Sequence, residues 1–558
     1  MRTELDGIMD AVLAEVTGPD GPLRLGTIER YGVTLPVIAT APPSLPAYFA
    51  HYCAQHADAT FLVSGDERLT FAEVYEQAQG VARALVAQGV AKGDRVGIAM
   101  RNSPAWIALY MGIAMAGGVA TLLNGWWQAE ELATAIRDVG CDLILADAPR
   151  VKRLDGLAAR VIAIDDTLPL AHALAPLTAG AADVALPVVA GDDLATILFT
   201  SGSTGQCKGA VSDHRAVTQA VFNYLASALT MLGIAARAGN PPQGQPCTLL
   251  TVPLFHVTAE VPVMLQSFAM GRKLVMMPKW DAEEAMRLIA AEGVTYFVGV
   301  PLMSFEMLTH PNRAKYDLST MADIAAGGAP RPVEHVRRIA EEMEGAPLIG
   351  YGLTETNGVG TGNWRSNYTA KPNSAGRPTL PLVDLAILDD AGVVLGQGVR
   401  GEVAIRSVCN FQGYWGNPDA TAAAMTAEGY FRTGDIGYLD DAGYLFIVDR
   451  KKDIIIRGGE NISCQEVEDA LYAHPLVAEA AVFGLPDERL GEVPGAIVAL
   501  REAVAPETLR AFLAEHIAGF KVPQRIWIAD GPLPRLGTEK IDKVTLRARY
   551  RALAAAEG

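Results

Sequence analysis

Leu198-Phe199-Thr200-Ser201-Gly202-Ser203-Thr204-Gly205-Gln206-Cys207-Lys208-Gly209 carries an apolar, strand-like run into a loop of hydroxyls and glycines that ends in a lysine. Glycines let backbone N–H groups come close to phosphate oxygens, hydroxyls donate further hydrogen bonds, and a lysine adds positive charge. A Ser/Gly-rich surface loop is the plain alternative, but strand, loop and lysine occur here together and in order. The stretch is not the nucleotide loop of kinases and GTPases. That loop has Gly before its lysine and Ser or Thr after it, and Cys207 and Gly209 stand in those places.

Outward from this stretch, short β-rich runs alternate with helical ones. Val96–Met100, Leu143–Ala146, Val161–Ile164, Thr196–Phe199, Leu249–Val252, Lys273–Met277 and Tyr296–Val298 read as strands. Phe71–Gln88 reads as a helix opened by the capping box Thr70-x-x-Glu73, and Asp281–Ala291 as one opened by Asp281 with Glu284 three residues on. Such alternation predicts layered α/β structure with largely parallel sheets. The uncharged stretch from Asn102 to Gln128 is long enough to span a bilayer. Its glycines at 112, 117 and 118, and the strand just before it, favour a buried helix and following strand. No membrane span is expected. Gly239–Pro246 reads as a surface loop.

Beyond about residue 380 the texture changes. Val383–Leu388, Glu402–Arg406 and Tyr444–Val448 predict a β-rich subdomain over about 380–450. After the charged knot Asp449-Arg450-Lys451-Lys452-Asp453, strand Ile454–Ile456, helix Gln465–Tyr472, strands Ala480–Phe483 and Ala496–Leu500, helix Pro506–His516 and strand Arg525–Ile528 form a small α+β unit. The expected fold class is therefore α/β, with a large N-terminal domain, 1–450, and a small C-terminal one, 451–558.

The 558 residues exceed what one core ordinarily holds, and half are apolar, as in a globular chain. Asp plus Glu number 63 against 46 Lys plus Arg, and the resulting −17 argues against a nucleic-acid coat or a general membrane-surface binder. The six cysteines are scattered with no CxxC pair, so zinc is not expected and reduced thiols in a cytoplasmic setting are. Met1 to Val16 is acidic and interrupted by charges, unlike a signal peptide.

Further motifs follow the phosphate loop in order: Pro253-Leu254-Phe255-His256, Gly327-Gly328-Ala329-Pro330, Gly350-Tyr351-Gly352-Leu353-Thr354-Glu355-Thr356, Gly413-Tyr414-Trp415, Tyr430-Phe431-Arg432-Thr433-Gly434-Asp435, the charged knot, Arg457-Gly458-Gly459-Glu460-Asn461-Ile462, and Leu533-Pro534-Arg535 with Lys540 beyond. Singly each is modest. As an ordered set from about Ala41 to Arg547 they resemble the adenylate-forming superfamily of acyl-CoA synthetases, luciferase and peptide-synthetase adenylation domains.

The resemblance implies roles at the matching positions. Thr200, Ser201, Gly202, Ser203, Thr204, Gly205 and Lys208 would hold ATP phosphates, with Gly328, Ala329, Pro330, Tyr351, Gly352 and Ile447 around the nucleotide. Tyr351 would lie against adenine and Thr354 on the α-phosphate. Glu355, with Thr204, would serve Mg²⁺, a hard cation that suits a carboxylate. Asp435 would accept the ribose hydroxyls, with Arg450 nearby. His256 would gate the acyl pocket and help orient the carboxylate. Val257, Thr258, Glu260, Val261, Val300 and Gly327 would line that pocket. Glu260 is the anomaly there, pointing either outward or at a polar group on the substrate. Lys540 would bridge the attacking carboxylate and the α-phosphate. Glu539 precedes it where the family has Gly, and Cys207 stands where proline is common. Lys452 would be the hinge on which a mobile small domain swings, bringing Gly458 and Gly459 to a pantetheine tunnel. Ser463 and Glu466 read as a structural capping box.

The implied activity is an ATP-dependent acid–thiol ligase with coenzyme A as acceptor, since the chain shows no carrier domain or phosphopantetheine attachment motif. Its overall look is similar to bacterial medium- and long-chain fatty acyl-CoA synthetases. Aryl, alicyclic and sterol-side-chain acids use the same frame, and a homodimer stays open. A non-catalytic nucleotide- or acyl-binding relative is the alternative of another class. The presence of Thr354, Glu355, Asp435, Arg450 and Lys540 disfavours it.

Overall fold

The computed structural model describes residues 2–180, 183–200, 207–329, 331–458, 460–536 and 540–557. Two large sheets form the N-terminal domain. The first has seven strands in the order Gly413–Tyr414, Lys208–Asp213, Leu194–Thr200, Val119–Leu122, Arg95–Ala99, Leu143–Asp147, Arg160–Ile164. The second has nine, in the order Arg377–Pro378, Gly360–Trp364, Ala346–Gly352, Asp323–Gly327, Tyr296–Gly299, Cys247–Leu250, Lys273–Met276, Thr60–Ser64, Glu67–Thr70. Their central strands run parallel, as the helix-strand alternation predicts, and antiparallel pairs stand at every edge but Arg160–Ile164, which pairs parallel.

The core between the sheets is filled by helices whose apolar stripes face it. Thr70 and Glu73 exchange both arms of the capping box and start the helix Phe71–Ala87. That helix buries Phe71, Val74, Ala78, Val81 and Leu85, the spacing of one helical face. It crosses the wholly buried helix Pro104–Met115 at Gly112, where a Cβ would come within 2.4 Å of the Val81 side chain. The uncharged stretch is thus a 12-residue core helix followed by the buried strand Val119–Leu122. One helix among the described residues, His214–Arg237, is long and apolar enough to cross a membrane. Here it packs in the core, with Gln219 and Asn223 hydrogen-bonded to the backbone at Ile38, Thr379 and Leu382.

Four antiparallel strands, Asp384–Leu388, Gly401–Arg406, Phe431–Leu439 and Leu445–Arg450, make the β-rich subdomain. A five-stranded sheet with helices Cys464–Tyr472, Pro506–His516 and Lys543–Glu557 makes the small C-terminal domain. There Ser463 caps its helix by accepting the Glu466 N–H at 3.1 Å, but the reciprocal arm of the box is not made. The Glu466 carboxylate pairs instead with Lys521, because an ion pair across to the turn Gly519–Lys521 competes with the neutral backbone donor.

The sequence reading did not identify the first helix, Glu4–Thr17. It lies on His214–Arg237, with Val12 seated where Gly233 leaves room. Asp6 fixes it, accepting from Asn367 at 3.0 Å, Tyr444 at 2.9 Å and Arg377 at 3.2 Å. Burial works against the Asp6 charge, but the Thr3 N–H and these donors outweigh it and hold the carboxyl below its ordinary value.

Candidate active site

On the two sides of the phosphate-loop stretch, Lys208 opens a strand antiparallel to Leu194–Thr200, opposite Thr200. Ser201, Gly202, Ser203, Thr204 and Gly205 lie outside the described residues, as do Pro330, Gly459 and Glu539. Lys208 ends with its ammonium 4.8 Å from the centre of the Tyr414 ring, a cation–π contact. Tyr414 in turn donates to Glu355 Oε1 at 2.8 Å. Tyr414 is a site neighbour that the sequence reading quoted within Gly413-Tyr414-Trp415 but gave no role. The short strand Gly413–Tyr414 brings it in by pairing with Lys208–Asp213.

Glu355 sits in a 3₁₀ turn, Thr354–Thr356, that follows the central strand Ala346–Gly352. Thr356, rather than Thr354, ties this turn, donating to the Val359 carbonyl at 2.6 Å. Thr354 keeps a half-buried position beside Glu355. Burial raises the Glu355 carboxyl, while Tyr414, Arg450 and Lys208 pull it back. Gly352 is required by close approach, since a Cβ there would come within 2.0 Å of the Gly358 carbonyl oxygen.

Tyr351, next in the strand, donates to Asp435 Oδ2 at 2.7 Å. Asp435 and Arg450 are register partners in the four-stranded sheet, with Arg450 Nε 3.3 Å from Asp435 Oδ1. Asp435 is 4% exposed, and its carboxyl is raised by burial against the pull of Arg450 and Tyr351. Ile447 packs in the same apolar cluster as the Tyr351 ring.

Lys540 reaches this group from the C-terminal domain. A Cβ on Gly328 would lie 2.9 Å from Lys540 Cε and 3.1 Å from its Nζ, so the lysine stem lies on that glycine. Gly328 has φ +77, and Ala329 beside it is half-buried. Burial, then the Arg450 charge, lower the Lys540 ammonium to about 8, with Asp435 opposing. His256 is lowered to about 3 by burial and by Lys540, so it is a neutral imidazole. Its Nδ1 accepts the Thr258 N–H at 3.3 Å, which leaves Nε2 to carry the proton and donate.

Thr258 faces Gly327, which is half-buried, with 4.0 Å between its Cγ2 and a Cβ placed on the glycine. Val257, Val261 and Val300 are buried. Glu260 is fully buried in a π-helical turn, Glu260–Leu265, and Tyr110 donates to its Oε1 at 2.7 Å. The outward-pointing alternative for Glu260 is therefore wrong. The widened turn rotates its side chain into the core, where burial raises the carboxyl to about 7. Lys452 is exposed in the turn after Leu445–Arg450, and Gly458, with φ +59, closes a hairpin beside Leu490.

Two carboxylates, a neutral imidazole and the cations Lys208, Arg450 and Lys540 thus face one region, a donor and acceptor set suited to a polyanion with a sugar and a divalent ion. The AMP-binding enzyme profile matches residues 49–415, and the AMP-binding enzyme C-terminal domain profile matches residues 466–540. The chain belongs to the AMP-binding enzyme family. It is 36% identical to the long-chain-fatty-acid–CoA ligase FadD13 of Mycobacterium tuberculosis, covering 88% of this chain and 94% of that one. It is 32% identical to a 3-(7a-methyl-1,5-dioxo-octahydroindenyl)propanoyl:CoA ligase of Rhodococcus jostii, covering 91% and 98%. Its fold matches o-succinylbenzoate–CoA synthetase of Bacillus subtilis in complex with ATP and a magnesium ion at a TM-score of 0.78 and 27% identity, covering 91% of this chain and all of that one. The chain is an acyl-CoA synthetase of the AMP-forming kind.

Proposed function

We propose that this ligase activates a hydrophobic carboxylic acid in one pocket and passes it to coenzyme A after the small domain turns. The observation that carries the reading is Lys540, docked on Gly328 between His256 and the Asp435–Arg450 pair. In the first half-reaction a carboxylate oxygen attacks the α-phosphorus, the bond to the bridging oxygen breaks, and pyrophosphate leaves. Both partners are anions, so the task is charge neutralisation and positioning. Lys540 supplies a charge between them, Thr354 a hydroxyl toward the α-phosphate, and His256 Nε2–H a hydrogen bond that orients the carboxylate. Asp435 takes the ribose hydroxyls, which replace the Tyr351 donor, and the Tyr351 ring with Ile447, Gly352 and Ala329 surrounds the base. Thr200 and Lys208 flank the β- and γ-phosphates.

Family members use ATP with magnesium. Among the described residues no group of three or more His, Cys, Asp or Glu could hold a metal ion, and a Mg²⁺ carried on ATP would take most of its ligands from phosphate and water. The buried oxygen donor Glu355 fits as its protein ligand, with Thr204 as the second. The ion's contribution there is neutralisation of phosphate charge.

In the second half-reaction the thiolate of coenzyme A attacks the acyl carbonyl and AMP leaves with the bonding pair. A swing of 451–558 about Lys452 would withdraw Lys540 and bring Gly458 and Gly459 to the thiol's path. A cytoplasmic setting accords with the free cysteines. The test is a panel of acids with ATP and hydroxylamine, reading hydroxamate and pyrophosphate. Octanoate should exceed acetate by orders of magnitude in kcat/KM, since each buried methylene contributes up to about 0.8 kcal/mol. Equal turnover of the two would remove the hydrophobic-acid reading.

A further inference from the structure

Register in the nine-stranded sheet sets Gly327 opposite Gly350, and Gly350 opposite Gly362. Three glycines therefore form one row across three neighbouring strands, with no side chain on the face toward Thr258 and the helix His214–Arg237. A Cβ on Gly327 would find nothing nearer than 3.6 Å, and one on Gly350 nothing nearer than 3.9 Å. Gly350 is exposed although it lies inside a nine-stranded sheet. The row floors an open slot whose near end is the residue before Gly328, where Lys540 rests.

The third glycine is different. A Cβ on Gly362 would strike the Trp364 indole at 2.2, 2.6 and 2.8 Å, so that ring lies over Gly362 and fills its side-chain space. Trp364 and Gly362 border a cavity of about 40 Å³ that Met9 and Leu13 of the first helix and Ser227 and Thr230 of the long one also line.

We propose that Trp364 is the back wall of the acyl slot and determines which acids the ligase takes. The inference rests on the reading of Thr258 and Gly327 as the edge of the acyl pocket. Two strand spacings separate Gly327 from Gly362, about 10 Å. With C–C bonds of about 1.5 Å zigzagging at roughly 1.25 Å per carbon, that length holds about eight carbons. The substrate class is acids of medium length or compact alicyclic acids. A long chain enters only if the indole swings off Gly362 toward the cavity it borders.

The experiment measures kcat/KM for butanoate, octanoate and hexadecanoate by pyrophosphate release in wild type, Trp364→Ala, Trp364→Leu and Gly350→Val. Ratios between acids are read within each protein, so a general loss of activity cancels. Wild type should prefer octanoate to hexadecanoate by at least tenfold, and either Trp364 variant should reduce that preference at least tenfold. Gly350→Val, which plugs the slot midway, should lower the octanoate-to-butanoate ratio at least tenfold. A wild-type preference for hexadecanoate, or Trp364 variants whose ratio stays within twofold while Gly350→Val penalises octanoate, overturns the back wall alone. If Gly350→Val leaves the octanoate ratio unchanged, the acyl group does not run over this row and the pocket reading itself falls.

Discussion

Lys540→Ala should separate the two half-reactions. The ammonium is the working form, and burial beside Arg450 brings it from 10.5 to about 8. A lysine lowered in this way loses its charge as pH rises through about 8. It is about nine-tenths charged at pH 7 and one-tenth at pH 9, so kcat/KM for adenylation should fall about tenfold between them. Bound ATP and carboxylate add negative charge and move the same limb of kcat to higher pH. Removing one preorganised charge contact costs roughly 10²–10³-fold, about 3–4 kcal/mol of transition-state stabilisation. Lys540→Ala should therefore lose hydroxamate formation by that factor and lose the limb near pH 8. A pre-made acyl-adenylate should still acylate coenzyme A at close to the wild-type rate. Lys452→Pro should do the reverse, because proline fixes φ and restricts the residue before it. Equal loss of both half-reactions in Lys540→Ala, or an unchanged alkaline limb, would refute the reasoning.

Two further outcomes are expected. Glu355→Gln should raise the Mg²⁺ concentration needed for half-maximal pyrophosphate release while thermal melting stays near wild type; an unchanged Mg²⁺ dependence would reduce Glu355 to the partner of Tyr414. Asp213→Ala should cost about 3–5 kcal/mol in urea unfolding, because it strands the buried Arg30 guanidinium. A loss below about 1 kcal/mol would mean that the Asn410 carbonyl, Arg30's other acceptor, satisfies it alone.

The strands that carry the site were legible because each is a short apolar run ending in residues with one plain chemical use. Asp435 and Arg450 could be named together from their motifs, and antiparallel register then sets them side by side. Glu260 defeated the reading because an isolated acid in an apolar run has no local sign of direction, and a π-helical turn decided it. Tyr414 was seen but not assigned, since its hydrogen bond to Glu355 spans 59 residues. The glycine row was hidden for the same reason. Gly327, Gly350 and Gly362 stand on three separate strands, apart in sequence, and only strand pairing aligns them.

Asp6 meets Tyr444 across 438 residues of chain. At 5–20 residues per second, ribosomal synthesis needs roughly 20–90 s to deliver that tyrosine after the first helix has emerged. The apolar stripe of Val12, Met9 and Leu13 can seat on His214–Arg237 about halfway through that interval, but Asp6 lacks the Tyr444 hydroxyl until its end. The helix made first is thus among the last to be fully fastened, and a nascent chain arrested before His214 presents that stripe to chaperones and proteases.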